Sequence, residues 1–308
     1  MFRALLGFFA ALLALFQLPA IAREPAPAPD LIEKVRAPSP IAEAGPALWK
    51  LSDSDTTVYL FGTVHVLPKG INWFHGPVSE AFHASDSLVT EIIEGDPGEM
   101  QSIVLRKAVL PAGQTLRAQM TDDQRATYET ALKEYGVPAE MFDRFDPWYA
   151  AVGLSTLPLL EQGYAPEQGV EKLLGSLAQN AGKPHLALET AEEQLSLFDA
   201  LPLEVQHRYL GEVIAQLPSI RSELEAMVAA WQRGDEEKIA SVMNAERSDP
   251  VLIKALLTDR NARWADWVET RMGEPGTIFL AVGAGHLAGE ESLQAMLERK
   301  GMAVERLQ

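Results

Sequence analysis

The sequence predicts an α/β fold, with one central mixed sheet interrupted by a large helical insertion. Three observations predict it. Apolar runs of strand length, rich in β-branched and aromatic residues, gather near both ends of the chain, at 47–93 and 277–307. The middle of the chain carries its apolar residues at helical spacing, with Gly and Pro as breaks. Two strand-like runs then end in the same pattern, GxxH: Gly62–His65 (GTVH) and Gly283–His286 (GAGH).

Residues 1–22 (MFRALLGFFAALLALFQLPAIA) have one basic residue, Arg3, then an apolar run, then Ala20-Ile21-Ala22. That is the pattern of a secretory signal peptide cleaved after Ala22. The alternative is an uncleaved anchor, since about 20 apolar residues can span a bilayer, but Gln17 and Pro19 interrupt the run. Residues 23–45 hold Pro at 25, 27, 29, 38 and 40 and read as an extended tether. A single domain is expected over 46–308.

Within it, 47–51 and 57–64 are strands joined by the turn Ser52–Asp55, hence a hairpin. A short helix follows at 77–85, with Pro77 near its first turn. Residues 87–93 (SLVTEII) form a third strand, ended by Glu94-Gly95-Asp96-Pro97. From about 97 to 182 the insertion is helical, with Thr121-Asp122-Asp123-Gln124 starting one helix and Gly136-Val137-Pro138 breaking it. It is expected to cover the carboxyl edge of the sheet. Residues 185–189 (HLALE) form a fourth strand. Helices then run from 191 to 271, broken at Pro202, Pro218, Gly234 and Pro250. The nearly all-apolar run 277–282 is a strand covered on both faces. A helix at 289–300 and a last strand at 303–307 complete the chain.

Composition excludes several functions. The 308 residues contain no Cys, so there is no disulfide scaffold, thiol nucleophile, Cys-ligated zinc or iron–sulfur cluster. A net charge of −17 argues against nucleic acid as a partner, because neutralising phosphates needs clustered Lys and Arg. Once the leader is removed, no integral membrane span is expected. The sequence also lacks a G-x-S-x-G elbow, an H-E-x-x-H motif and a P-loop. GAGHLAG matches a dinucleotide fingerprint only weakly, since too little chain follows it for the βαβ units such a site needs.

The candidate site comes from the two GxxH motifs. A Gly at a strand exit allows close backbone approach, which makes Gly62, Gly283 and Gly285 structural candidates. Loops at the carboxyl ends of strands are where open α/β sheets bind ligands. His65 and His286, so placed, can hold one metal or flank one carbonyl; otherwise they are unrelated loop histidines. Glu91, among Leu88, Val89, Ile92 and Ile93, is a carboxylate in an apolar strand. It is either a metal ligand or general base, or it meets a Lys or Arg. Glu189 is a second carboxylate candidate, or the first acid of the next helix. Glu94 reads as a solvated turn residue. A helix over 251–272 places Arg260, Trp264, Trp267 and Arg271 on one side, so that Arg260 can clamp a carboxylate or an oxyanion. The plainer alternative is an Asp259–Arg263 ion pair with the Trp residues as core. His75 is a remote candidate near the first motif. His83, His185 and His207 read as surface or core residues.

In order, the chain carries LWKL, VYLFGTVHVLP, an apolar strand with a Glu, GKPHLALET followed by Gln194, DRNARW, FLAVGAGHLAG and GMAVERL. This series resembles the TraB/PrgY/GumN family, which includes the animal Tiki proteins, over about 46–308. The resemblance implies a fold related to erythromycin esterases and to ChaN-like haem-binding lipoproteins. It also implies divalent-metal-dependent proteolysis of the Tiki kind, with His65, Glu91 and His286 on the family's motif positions and Arg260–Asn261 on its RN pair. Three functions follow as expectations. The first is an exported hydrolase of peptide or amide bonds that uses Mn, Co or Zn held by His65, His286 and Glu91. In it Glu91, His65 and Arg260 are catalytic, and Asn261 and Glu189 bind substrate. The second is a metal-free esterase-like hydrolase with His65 as base and His286 or Arg260 facing the oxyanion. The third is a non-enzymatic binding protein for a peptide, haem or another small molecule. The expected location is the periplasm or the exterior.

Overall fold

A computed structural model of the protein describes residues 45–93, 95–160, 168–243 and 249–308. The expected signal peptide, all but the end of the tether, and Glu94 lie outside the described residues. Six strands form one sheet: β1 (Leu48–Ser52), β2 (Thr56–Thr63), β3 (Ser87–Thr90), β4 (His185–Ala187), β5 (Gly276–Gly283) and β6 (Val304–Arg306), in spatial order β4-β3-β5-β2-β1-β6. β1 and β2 are antiparallel, closed by a turn in which the Asp53 side chain accepts from the Asp55 and Thr56 amides. β6 runs antiparallel to β1. β2, β5, β3 and β4 are mutually parallel, so the sheet is mixed and four strands end at one edge.

Alternation along β5 shows why its sequence is apolar throughout. Phe279 and Ala281 face one core, with Phe61 and Leu88. Ile278, Leu280 and Val282 face the other, with Val58, Leu60 and Val89. The first face is covered by α1 (Gly76–Ala84) and the large helical layer. That layer comprises α2 (Pro97–Lys107), α3 (Asp122–Glu134), α4 (Pro147–Leu160), α5 (Val170–Asn180), α6 (Ala191–Asp199), α7 (Leu203–Gln216), α8 (Ile220–Trp231) and α9 (Glu236–Met243). Between 97 and 180 the described residues add only a 3₁₀ turn at Leu116–Gln119 and one isolated bridge, Val109 to Phe145. The expected start signal of α3 is present as a reciprocal capping box, Thr121 with Gln124. The second face packs against α11 (Asp259–Arg271) and α12 (Leu293–Arg299) through Trp264, Val268, Leu293 and Leu297. No helix among the described residues is long and apolar enough to cross a membrane.

Four element boundaries differ from expectation by more than one residue; one is β4, which ends at Ala187, so Glu189 follows the strand instead of ending it. β3 ends at Thr90, three residues early, because the Thr90 side chain turns back to the Ile92 carbonyl. Glu91 therefore follows the strand instead of lying within it. The helix expected over 251–272 is α10 (Pro250–Ile253), a π turn (Lys254–Thr258) and α11. In a π turn, residues five apart become neighbours, so Asp259 pairs with Lys254 and not with Arg263. Arg263 reaches Glu189. The last helix starts at Leu293, because residues 284–287 make a 3₁₀ turn.

Candidate functional site

The parallel strands deliver their following residues to one place. His65 comes after β2, Glu91 immediately after β3, Glu189 after β4, and His286 after β5. The Glu189 amide donates to the Glu91 carbonyl at 2.9 Å, which extends the β3–β4 ladder to both carboxylate residues. Gly62 pairs with Val282 in register. A Cβ at Gly62 would lie 3.1 Å from the Ala284 Cα, a tight contact that glycine avoids where the two motif segments approach. Neither Gly283, with φ −49°, nor Gly285 has a positive φ, so neither uses the left-handed region.

Arg260 is the hub of the buried part. Its Nε donates to both Glu189 oxygens at 3.0 Å, and its Nη2 donates to Glu189 at 2.8 Å and to Glu91 Oε2 at 2.6 Å. Its Nη1 reaches the Leu256 carbonyl at 3.2 Å and His286 Nε2 at 3.1 Å. A guanidinium has five N–H donors, and these contacts engage all of them inside the protein. Its face lies 4.6 Å from the Trp264 ring. Arg260 is only 1% exposed. Its clamp closes on the protein's own carboxylates and has no N–H left for a substrate oxyanion. Glu91 also accepts from Gln194 Nε2 at 3.0 Å and from the Gly283 amide at 2.8 Å. Burial opposes the charge on Glu91, but the Arg260 guanidinium, supported by the Gly283 amide, holds its carboxyl well below the usual range.

The tautomer of His286 follows from Asn261. The Asn261 amide nitrogen donates to the Glu291 carbonyl at 2.7 Å and to the His286 carbonyl at 3.4 Å. Its oxygen therefore faces His286 Nδ1, at 2.6 Å, and the ring must donate there. The lone pair is left on Nε2, 3.7 Å from Glu91 Oε1. Burial first, then Arg260, pushes the His286 imidazole well below its usual value, so it is neutral. As an acceptor at Nε2, His286 cannot donate to an oxyanion.

His65 is the accessible member, with its side chain 13% exposed. Its Nδ1 lies 2.5 Å from Glu171 Oε1, an oxygen to which Thr63 also donates. Burial alone would lower the His65 imidazole, but Glu171 outweighs it and the net direction is upward. Sequence reasoning missed Glu171 altogether. Gln194, noted only as part of a motif, is a direct partner of Glu91. Asn261 and Glu189, expected to bind substrate, hold His286 and Arg260 respectively. Glu189 also forms part of the wall of a cleft of about 400 Å³ at the ends of β3 and β4, together with Ile93, Glu99, Met100, Ile103 and Glu192. His75 stands at the start of α1 and makes no side-chain cap there.

The site holds imidazole and carboxylate groups of the kind that ligate divalent cations. Both imidazoles present Nδ1 to a protein acceptor, as metal-binding histidines do. His286 Nε2, which accepts from Arg260 Nη1 in this structure, lies 3.7 Å from Glu91 Oε1, near the separation of two ligands on one ion with bonds of about 2.0–2.2 Å, so a bound cation would replace that Arg260 contact. Among the described residues, no three His, Asp or Glu side chains gather closely enough to form a complete cage.

Comparison with known proteins gives a consistent relationship. The sequence profile of the TraB/PrgY/gumN family matches residues 47–306. The chain is 27% identical to Uncharacterized protein YbaP of Escherichia coli (strain K12) over 62% of its own length and 70% of that protein. It is 24% identical to Metalloprotease TIKI1 of Danio rerio, covering 88% of this chain and 65% of the relative. Identity to Metalloprotease TIKI2 of the same fish is also 24%, over 80% and 58% of the two chains. The chain thus spans about two thirds of the length of the metalloprotease relatives it matches. No solved structure matches it.

Proposed function

The chain belongs to the TraB/PrgY/gumN family, and from that premise we propose that it is an exported hydrolase of peptide-type bonds using a divalent cation held by His286 and Glu91. The observation that carries this reading is the tautomer of His286. Its unprotonated Nε2, which accepts from Arg260 Nη1 here and would exchange that contact for a cation, lies 3.7 Å from the Glu91 carboxylate. Arg260 and His286, the two residues expected to stabilise an oxyanion, have no N–H left to do so. A cation such as Mn, Co or Zn supplies the missing electrophile, polarising a carbonyl and lowering the pKa of a bound water. The metalloprotease names of the zebrafish relatives support the same reading.

The chain's own residues supply the rest. Glu91, held ionised by Arg260, is a poor proton acceptor and a good anionic ligand. His65, with its imidazole raised by Glu171, is the better general base. Its Nε2 takes a proton from water, and Glu171 steadies the resulting imidazolium at Nδ1. The same nitrogen then returns the proton to the departing amine. Arg260 touches no reacting atom and acts as a positioning residue for Glu91. The neighbouring cleft has the size of a small-molecule or side-chain pocket. Export rests on residues 1–22, and the place of action is the periplasm or the exterior.

The test is cleavage of a mixed peptide library by the purified mature protein, stripped with chelator and reloaded separately with Mn, Co and Zn. The expected result is turnover that chelation removes, that one of these ions restores, and that His65→Ala abolishes. Turnover that survives complete metal removal contradicts the proposal and favours the esterase-like route with His65 alone. Saturable peptide or haem binding with no turnover under any loading favours a binding protein.

A further inference from the structure

Three consecutive residues of the first motif are held by two consecutive residues of the helical insertion. The Thr63 hydroxyl donates to the Glu171 carboxylate. The Val64 carbonyl accepts from the Val170 amide at 3.1 Å. His65 Nδ1 lies 2.5 Å from Glu171 Oε1. Val170 and Glu171 open α5, which starts beyond its N-cap Gly169. The pairing is therefore made by a helix terminus against a strand terminus, both of which have fixed backbones.

We propose that Glu171 is the positioning residue for His65: it fixes the imidazole as the Nδ1–H tautomer and leaves Nε2 as the atom that works at the site. The argument is one of acceptors. Glu171 Oε1 is a carboxylate oxygen and can only accept, so a neutral His65 must place its single proton on Nδ1. The Thr63 hydroxyl approaches the same carboxylate and limits its freedom to rotate away. His286 has the same arrangement with a different partner, Nδ1–H to Asn261 Oδ1. The two GxxH histidines are thus set in the same tautomer by acceptors from different parts of the chain, Glu171 from α5 and Asn261 from α11. A ring orienter of this kind typically contributes a factor of about 10–100 to metal affinity or activity.

This inference gives a role to a residue in the proposed reaction, but its decisive readout does not depend on that reaction. The experiment is nitrogen-15 NMR of histidine side chains in the full mature protein without added metal, at a pH where His65 is neutral. His65→Gln identifies the resonance. Wild type is expected to show His65 with a protonated Nδ1 and a bare Nε2. Glu171→Ala should convert it to a mixture of tautomers or to the Nε2–H form. Glu171→Gln keeps the size and one acceptor oxygen, so it should retain the Nδ1–H form in large part, and it serves as the folded control if the Ala variant fails to fold. If turnover is found, Ala should lower kcat by about 10–100-fold and Gln by less. A wild-type His65 carrying its proton on Nε2, or a tautomer unchanged in a folded Glu171→Ala variant, overturns the proposal. If no cation binds the wild type, the function proposed above fails while the tautomer result still decides this one.

Discussion

Asn261 and Glu171 decide what the two motif histidines can do. Asn261→Ala removes the Oδ1 acceptor of the buried His286 Nδ1–H, and should cost about 1–3 kcal/mol in urea unfolding. An unchanged midpoint would show that the contact is not formed. Glu91→Ala should cost more, about 3–5 kcal/mol, because one partner of a buried ion pair is lost. Replacing His65, which is partly exposed, should abolish turnover with a smaller loss of stability. The pH dependence of the metal-free protein separates the two histidines. The depressed His286 takes up its proton mainly on unfolding, so its effect is to lower stability as pH falls below about 6.5. His65 is raised, so its contribution is full below about 6.5 and is lost as pH rises through its folded value. Glu91 is lowered, so its contribution holds above about 4.5 and disappears as pH falls toward its folded value. His286→Asn should therefore flatten the loss of stability between about pH 6.5 and 5; a slope unchanged in that variant would assign the titration elsewhere. At this scale the sequence was legible where a polar residue broke an apolar pattern. Glu91 stood out that way, and its contact with Arg260 is the plainer alternative of a carboxylate meeting an arginine; Arg260 stood out by sharing a helix side with Trp264 and Trp267. Glu171 did not stand out, because a glutamate in the first turn of an amphipathic helix is ordinary until the fold brings it to a residue 106 positions earlier.

The strands were legible as elements because burial on both faces writes a continuous apolar run, as β5 shows. Their ends were less so. Ile92 and Ile93 extend the apolar pattern of β3, yet Ile93 is 45% exposed, and a local side-chain bond from Thr90 ends the strand first. The π turn before α11 left no mark either, since its five residues have ordinary helical character. Its effect is felt at Asp259, which pairs with Lys254 five residues earlier. At the sheet edge, Gly62→Ala places a Cβ against the Ala284 backbone, where a flexible side chain cannot yield. The cost expected from overpacking is about 1–3 kcal/mol, read as a lower thermal midpoint, with activity reduced because β2 and β5 both carry the site. Wild-type stability in Gly62→Ala would mean the two segments can separate freely.

For the whole molecule, the parallel order β4-β3-β5-β2 explains how residues far apart in sequence meet at one edge. The antiparallel additions β1 and β6 close the other side without adding to the site. That convergence was legible as an expectation from the GxxH repeats, but the strand order was not, because each parallel connection passes through helices of no fixed length. Export makes a separate prediction: the protein recovered from the periplasm or medium should have an intact mass starting at Arg23. A full-length mass in the membrane fraction would contradict it. The central claim is that His286 and Glu91 bind a divalent cation beside His65. The most direct measurement is an anomalous difference map from crystals of the manganese-loaded mature protein, collected with and without prior chelation. The account predicts one strong peak, within about 2.0–2.3 Å of His286 Nε2 and a Glu91 oxygen, that chelation abolishes. A map with no peak there under full loading, or with its peak at a site lacking both residues, contradicts it.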